Sequence, residues 1–282
     1  MVAVALGIGT ALCWGLADFL GGLSTRRLTL AAVLLVSQFT GLAAIAVVVA
    51  VGKLDEPAAD LAPALVAGVC QLAGIAALYR ALAIGTMSVI SPVSASGAAA
   101  LPVVVGVATG ERPGALVFAG MAAALVGVTL ASRTPDAPGC GAGSRQGLEL
   151  AAVAALGFGG FYVGMDAAVD EVEPFWALLA ARVSAGAALA AVLLVVRPRL
   201  EASAADLPSL ALIGLLDVGA NGCFALGVET GLVSVVSVLA SLYPVGTVLL
   251  ARALLAERLV AVQTVGVTLA LTGVALIAAA SA

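Results

Sequence analysis

Charged and amide side chains occur within stretches of this sequence that are otherwise apolar. Asp18, Arg182 and Asp217 lie deep in such stretches, as do the amides Gln38 and Gln71. A charge at the centre of a bilayer costs at least about 2.5–3.5 kcal/mol, so each of these side chains needs a partner or a function. Internal ion pairing and the exchange of a proton or a polar solute are the chemistries that such residues support.

The composition limits the class of protein. Only 10% of the 282 residues are charged, 63% are hydrophobic, and the mean hydropathy is +1.21. Because a soluble domain carries about 25% charged residues, a soluble enzyme, a disordered chain and a secreted disulfide scaffold are excluded. The net charge of −4 without a basic patch argues against nucleic acid as a partner. With no histidine and no CxxC pair, neither a metal site nor any other cofactor is expected.

Ten apolar runs have the length of about 20 residues that crosses a bilayer as a helix. We place them at 2–23, 28–51, 61–82, 86–108, 114–132, 147–168, 174–196, 208–228, 232–253 and 260–281. The polar segment 133–146 is rich in Pro, Gly and Ser and predicts a linker. The expected fold is an all-α integral membrane protein with five-helix repeats in 1–132 and 147–282.

The two halves resemble each other in sequence. Shifts of 144 or 146 residues superpose Trp14-Gly15 on Phe158-Gly159, Gln38 on Arg182, Glu111-Arg112 on Glu257-Arg258, and Gly120 and Gly127 on Gly266 and Gly273. Since five is odd, the second repeat would enter the membrane from the opposite side, as in many secondary transporters with a central substrate site. A duplication retained only for packing is the alternative, but it gives no reason for polar groups at midplane depth.

Several motifs carry a family resemblance. They are Trp14-Gly15-Leu16-Ala17-Asp18-Phe19, Tyr79-Arg80-Ala81-Leu82-Ala83, Gly110-Glu111-Arg112, Ala256-Glu257-Arg258 and the glycine-spaced helices Gly120 to Gly127 and Gly266 to Gly273. Together they resemble the EamA family of the drug/metabolite transporter superfamily over essentially the whole chain. The resemblance implies ten helices in two inverted repeats, a central cavity and alternating access, but no particular substrate. One departure is Ala98 in helix four, where the family pattern has the proline that Pro244 supplies in helix nine.

Arg182 and Asp217 lie near the centres of helices seven and eight, and their charges cancel. The repeat places Gln38 and Gln71 at the equivalent positions of the first half. We therefore expect an ion pair in one half and an amide pair in the other. Such a pair serves either as a structural or gating element or as a direct substrate site.

Asp18 has no nearer basic neighbour in sequence than Arg26 and Arg27 at the membrane edge. An isolated carboxylate in apolar surroundings can exchange a proton near neutral pH. The related small multidrug exporters use a helix-one carboxylate, so the resemblance also implies proton coupling. The alternatives are an ion pair with Arg80 or exposure in a wet vestibule.

Hydroxyl and aromatic side chains supply further candidates. Ser237 and Ser241, with Ser234, are predicted on one face of helix nine, Ser91 and Ser94 lie on helix four, and Asn221 shares a face with Asp217. Trp14, Tyr79, Phe158, Tyr162 and Tyr243 are candidate cavity walls. Serines also allow helices to pack closely, which is the alternative for each of them.

These features predict a multi-pass secondary transporter of the inner (plasma) membrane. Its partners would be the lipid bilayer and a small organic substrate, an amino acid or similar metabolite, moved by alternating access. Export coupled to protons is the leading hypothesis, with uptake or a facilitative carrier next and a channel or non-transporting scaffold after them. No enzyme is expected, because the chain lacks HExxH and paired carboxylates on one helix.

Orientation and oligomeric state stay open at this point. Eight arginines follow odd-numbered helices, whereas only Lys53 and Arg112 follow even-numbered ones. Positive charge marks the cytoplasmic side, so this bias places both termini outside. The family resemblance places them inside. A monomer and a homodimer both fit the sequence.

Overall fold

The computed structural model describes residues 1–25, 27–52, 60–84, 87–131, 145–245 and 261–280. All regular structure in these ranges is helical. The helices are α1 (Val2–Thr25), α2 (Leu30–Gly52), α3 (Ala62–Ile84), α4 (Met87–Thr109), α5 (Ala115–Ala131), α6 (Arg145–Val169), α7 (Pro174–Val196), α8 (Leu207–Thr230), α9 (Val233–Ala240) and α10 (Ala261–Ala280). Each overlaps a predicted span.

The linker and the ninth predicted span extend furthest beyond the described residues. Most of the linker 133–146 lies outside them, and α6 begins at Arg145, two residues before the predicted start. Residues 246–253 of the predicted ninth span also lie outside. The described α9 ends at Ala240, where Ser241 caps it.

Six of the described helices are long and apolar enough to cross a membrane. The qualifying segments are Val2–Thr25, Leu30–Gly52, Ala62–Ala81, Glu149–Val169, Pro174–Val196 and Leu207–Thr230. Shorter apolar segments are Gly97–Thr109, Ala115–Gly127, Val233–Val245 and Thr264–Ile277. These helices agree with an all-helical membrane protein. The ten spans in two inverted repeats stay a prediction.

The ends of α7 show how the local sequence sets a helix boundary. The Glu173 carboxylate accepts hydrogen bonds from the backbone N–H groups of Phe175 and Trp176 at 3.0 and 3.2 Å, and Pro174 occupies the first helical position. Both features favour a helix start, because the first N–H groups have no partner within the helix. At the other end, Arg197 adopts a left-handed conformation with φ 48° and donates its N–H to Leu193 O.

The helices pack as two groups, each built from both halves of the chain. Bundle 1 contains α1, α2, α8 and α9, and bundle 2 contains α3, α4, α6 and α7. Within them α1 packs on α8 and α9, α2 on α8, α6 on α3 and α4, and α7 on α3. Replacing each helix by its equivalent in the other half converts bundle 1 into bundle 2. The two bundles meet where α2 packs on α7 and α4 on α9.

The helices α5 and α10 pair with each other. They run antiparallel, because Ala124 contacts Gly273 whereas Gly127, further along α5, contacts the earlier Ala270. A Cβ at Gly273 would lie 2.5 Å from Gly120 O. The glycine faces that the sequence singled out therefore pack against each other within one chain.

The loop between α7 and α8 is held by its own polar groups. Ser203 donates hydrogen bonds from its hydroxyl and its backbone N–H to Asp206 Oδ2, at 2.7 and 2.9 Å. These bonds, with help from the positive charge of Arg27, lower the pKa of the Asp206 carboxyl. Thr29 Oγ1 accepts a hydrogen bond from the backbone N–H of Glu201 at 3.4 Å, which links this loop to the start of α2.

We predict opposite effects for two glycine substitutions in α8. A Cβ at Gly214 would overlap the backbone carbonyl of Ser37 on α2, whereas a Cβ at Gly219 meets no heavy atom within 4 Å. Gly214→Ala should lower the free energy of unfolding by about 1–3 kcal/mol through overpacking. Gly219→Ala should raise it by up to about 1 kcal/mol through helix propensity. Thermal unfolding in detergent tests both, and equal shifts of the two variants would contradict the described α2–α8 crossing.

Candidate functional site

A central cavity lies where bundle 1 meets bundle 2. Eight of the residues predicted from the sequence line it, and they are Trp14, Asp18, Gln38, Tyr79, Phe158, Tyr162, Asp217 and Tyr243. The volume of this cavity is only about 20 Å³, which is room for about one or two water molecules. In this conformation the cavity is therefore very small.

A polar network crosses from one bundle to the other beside this cavity. Arg182 donates through Nη1 to Gln38 Oε1 at 2.8 Å and through Nη2 to Asp217 Oδ2 at 2.5 Å. Asp217 Oδ1 accepts a third bond from Trp14 Nε1 at 3.0 Å. Arg182 comes from α7 of bundle 2, and the other three side chains come from bundle 1. One guanidinium thus joins the two bundles.

The network is almost fully withdrawn from the surface. Arg182 is 1% exposed, Gln38 is 4% exposed and Asp217 is 7% exposed. Two glycines make this geometry possible, because α2 and α8 approach closely at Gly41 and Gly214. A Cβ at Gly41 would lie 3.7 Å from the guanidinium carbon of Arg182 and 3.2 Å from Gly214 O. Small residues one turn from Gln38 and Asp217 thus bring both acceptors to Arg182.

Four aromatic rings pack beside the network. Trp14 stacks on Tyr162 with ring centroids 5.7 Å apart, and Tyr162 stacks on Phe224 at 4.7 Å. Phe161 completes this aromatic cluster, with its ring 6.3 Å from Trp14 and 5.7 Å from Phe224. Trp14 belongs both to the polar network and to the aromatic cluster. The orientation of its indole is therefore fixed by its hydrogen bond to Asp217 and by its stacking on Tyr162.

Asp18 lines the same cavity without a compensating charge. Among the described residues it has no hydrogen bond or ion pair, and Arg80, its sequence-based partner, is exposed. The hydroxyl of Tyr79 also faces α1, where a Cβ at Gly21 would overlap it. With Asp217 neutralised by Arg182, the cavity wall carries one uncompensated carboxylate.

Comparison with known proteins identifies a family and a solved structure to which this chain is similar. Residues 145–279, nearly half of the chain, match the EamA-like transporter family. The second half of the chain belongs to this family. The match confirms the resemblance for this half of the chain and implies a membrane-transporter type of function.

A solved structure, described only as "Crystal structure of protein", is similar to the whole molecule. It is 18% identical in sequence, the match covers 98% of this chain and 96% of that one, and the TM-score is 0.75. At this identity the likeness shows the fold alone. No curated protein matches the chain.

Several predicted site residues do not line the described cavity. Gln71, Ser94, Asn221, Ser237 and Ser241 are buried in the helix packing. The Ser241 hydroxyl donates to Val238 O at 2.8 Å, which satisfies it within its own turn. The side chain of Ser91 lies outside the described residues.

The predicted amide pair between Gln38 and Gln71 is wrong. Gln38 accepts from Arg182, and neither polar atom of the Gln71 side chain has a hydrogen-bond partner among the described residues. The physical reason is the interleaved packing, since α2 contacts α7 and α8 far more extensively than it contacts α3. The expected contact between Arg182 and Asp217 is present, whereas its role in gating stays a prediction.

Four further cavity residues were missed by the sequence analysis, namely Ala17, Ser37, Ile75 and Ile213. Each adjoins a predicted residue along its helix. Ile75 precedes Tyr79 by four positions, and Ile213 precedes Asp217 by the same distance. Helical spacing from the aromatic and charged candidates could have found Ile75 and Ile213, because positions four apart share a face, whereas Ser37 only precedes Gln38 along α2.

We predict that the ion pair can be broken by one substitution and partly restored by a second. Arg182→Gln leaves the Asp217 carboxylate buried with Trp14 as its only described donor, which should destabilise the protein by about 3–5 kcal/mol. Adding Asp217→Asn removes the stranded charge and should recover part of that loss. Thermal unfolding in detergent and the yield of folded protein measure both. If the double variant is as unstable as the sum of its single variants, the pair is not the coupled unit described here.

Proposed function

We propose that this chain is a secondary transporter of the inner membrane that exports a small organic solute by alternating access. The observation that carries the proposal is the cavity between the bundles, with one uncompensated carboxylate at Asp18 and a wall of aromatic rings. A carboxylate in such a position binds a cationic group or a proton. The family match supports transport as the general activity.

The cavity chemistry favours a solute with an ammonium group, as amino acids have. Asp18 offers the opposite charge, and the aromatic side chains of Trp14, Tyr79 and Tyr162 line the same cavity, where aromatic rings can contribute to the binding of a cation. Arg182 is occupied by Gln38 and Asp217, so it is not free to pair with an anionic solute in this conformation. Asp18 would bind either a proton or the ammonium group of the solute, but not both at once. Movement of the solute in one direction would therefore be coupled to movement of protons in the other.

Alternating access is supported by the way the bundles meet. The bonds from Arg182 to Gln38 and Asp217 cross from bundle 2 to bundle 1, whereas the bond between Trp14 and Asp217 stays inside bundle 1. A rocking motion of the bundles would therefore strain two bonds made by one side chain. We propose that Arg182 holds the closed state in this way.

The inverted repeat is supported by packing as well as by sequence. Exchange of equivalent helices maps the main packing pairs onto one another, and α5 runs antiparallel to its equivalent, α10. Two like-oriented repeats would bring equivalent helices together in parallel. A twofold relation of this kind would put the cavity between the halves, where inverted-repeat transporters bind their substrates.

The deciding experiment is solute flux into proteoliposomes containing purified protein. Panels of labelled amino acids, sugars and lipophilic cations are supplied with and without a pH gradient. We expect saturable flux of an ammonium-bearing solute, movement of protons in the opposite direction, and loss of both by at least tenfold in Asp18→Asn. Glu229→Gln is the matched control, because it removes an exposed carboxylate at the end of α8 and leaves the cavity intact.

Other outcomes identify the alternatives. Flux that does not saturate, together with single-channel conductance, would contradict a carrier and indicate a channel. Solute exchange without proton movement, unchanged in Asp18→Asn, would indicate a facilitative carrier. Accumulation only in the uptake direction would contradict export.

A further inference from the structure

A second, larger cavity opens on the outer side of the molecule between α2, α3 and α7. By the same measure as the central cavity its volume is about 780 Å³, within the range of about 300–1,000 Å³ typical of small-molecule sites. Its walls are leucine, valine and alanine side chains, including Leu34, Leu72, Leu189 and Val192. We call this cavity the lateral groove. It lies along the seam between bundle 1, which supplies α2, and bundle 2.

The groove follows from the way α3 and α7 cross. They are in closest contact at Gly68, where a Cβ would overlap the carbonyl oxygen of Ala181, and Ser184 Oγ donates to Leu65 O at 2.7 Å nearby. Every groove residue on these two helices lies beyond that crossing, from Val69 on α3 and from Ala188 on α7. Small side chains in its lining, such as that of Ala73, contribute to the depth of the groove.

The mouth of the groove differs in chemistry from the rest of it. Its length is apolar, but its mouth is formed by Thr29, Arg199 and Glu201, in the segments just before α2 and just after α7. In the described part of the chain neither Arg199 nor Glu201 has an ion-pair partner. Within the described residues, the apolar groove ends beside a cation, Arg199, and an anion, Glu201, and neither of them is in an ion pair, so the groove matches a zwitterionic amphiphile.

We propose that the lateral groove binds one phospholipid of the phosphatidylethanolamine type. An acyl chain lies in the groove, the phosphate pairs with the Arg199 guanidinium, and the ammonium group of the headgroup pairs with Glu201. Water is not a suitable occupant, because a buried water molecule needs two to four polar partners that the groove walls lack. An empty groove would leave its lining without van der Waals contacts on one side.

The bound lipid would also touch the wall of the central cavity. Leu34 and Leu72, which line the groove, belong to the same buried cluster as Ile75 and Tyr79, which line the cavity. Along α2, Leu34 lies one turn from Gln38. A lipid in the seam therefore contacts both bundles beside the site where they are joined by Arg182.

The test measures lipid binding directly and needs no transport activity, so its result is independent of the proposed function. Purified protein is stripped of lipid in detergent and titrated with phosphatidylethanolamine, phosphatidylglycerol or phosphatidylcholine, and bound lipid is counted by native mass spectrometry. We expect one tightly held phosphatidylethanolamine per chain. Ala188→Trp fills the groove and should abolish this binding, whereas Val195→Trp, on the lipid-exposed surface of α7 outside the groove, should leave it unchanged.

A surface substitution tests the proposal even if the groove variant Ala188→Trp does not fold. Arg199→Gln changes an exposed side chain and should weaken the binding of phosphatidylethanolamine about tenfold, since it removes a charge-assisted contact to phosphate. Equal lipid retention by all three variants would mean non-specific surrounding lipid and would overturn the proposal. Tighter binding of phosphatidylglycerol than of phosphatidylethanolamine would overturn the assignment of the ammonium group to Glu201.

Discussion

A buried guanidinium is the constraint on which the centre of this molecule depends. Arg182 is almost completely removed from solvent, and a charge in that position is tolerated only with close partners. Its partners, Gln38 and Asp217, come from two other helices, so α2, α7 and α8 must converge within hydrogen-bond distance. The glycines at 41 and 214 make that convergence sterically possible. The ion pair can therefore form only where α2 and α8 pack closely enough to bring both acceptors to Arg182.

Sequence patterns predicted the helices well, because each span is a long apolar run with polar residues at its ends. They also predicted the contact between Arg182 and Asp217, since two opposite charges deep in consecutive helices have few other ways to be compensated. They did not predict Gln38 as the third member. That contact depends on the packing of α2 against α7, and no local property of either helix specifies its neighbour when apolar residues cover nearly all faces.

The same limit applies to the aromatic cluster. Trp14 and Tyr162 stood out as polar-edged rings, but Phe161 and Phe224 are ordinary residues for a membrane helix until α1, α6 and α8 are brought together. Once assembled, the cluster packs against the network through Trp14 and helps to close the cavity to about 20 Å³. Its four rings come from both bundles, so a change in the bundle contact would also change their stacking.

The network also explains why the two halves differ where they meet. Gln38 and Arg182 occupy equivalent positions of the predicted repeat and are bonded to each other, so the twofold axis of that predicted repeat would pass between them. Two arginines at such a position would repel, and two glutamines would leave Asp217 without its cation. One arginine and one glutamine satisfy both conditions. The difference between the two residues supplies one donor and one acceptor for the contact between α2 and α7, and the ion pair lies on one side of the cavity.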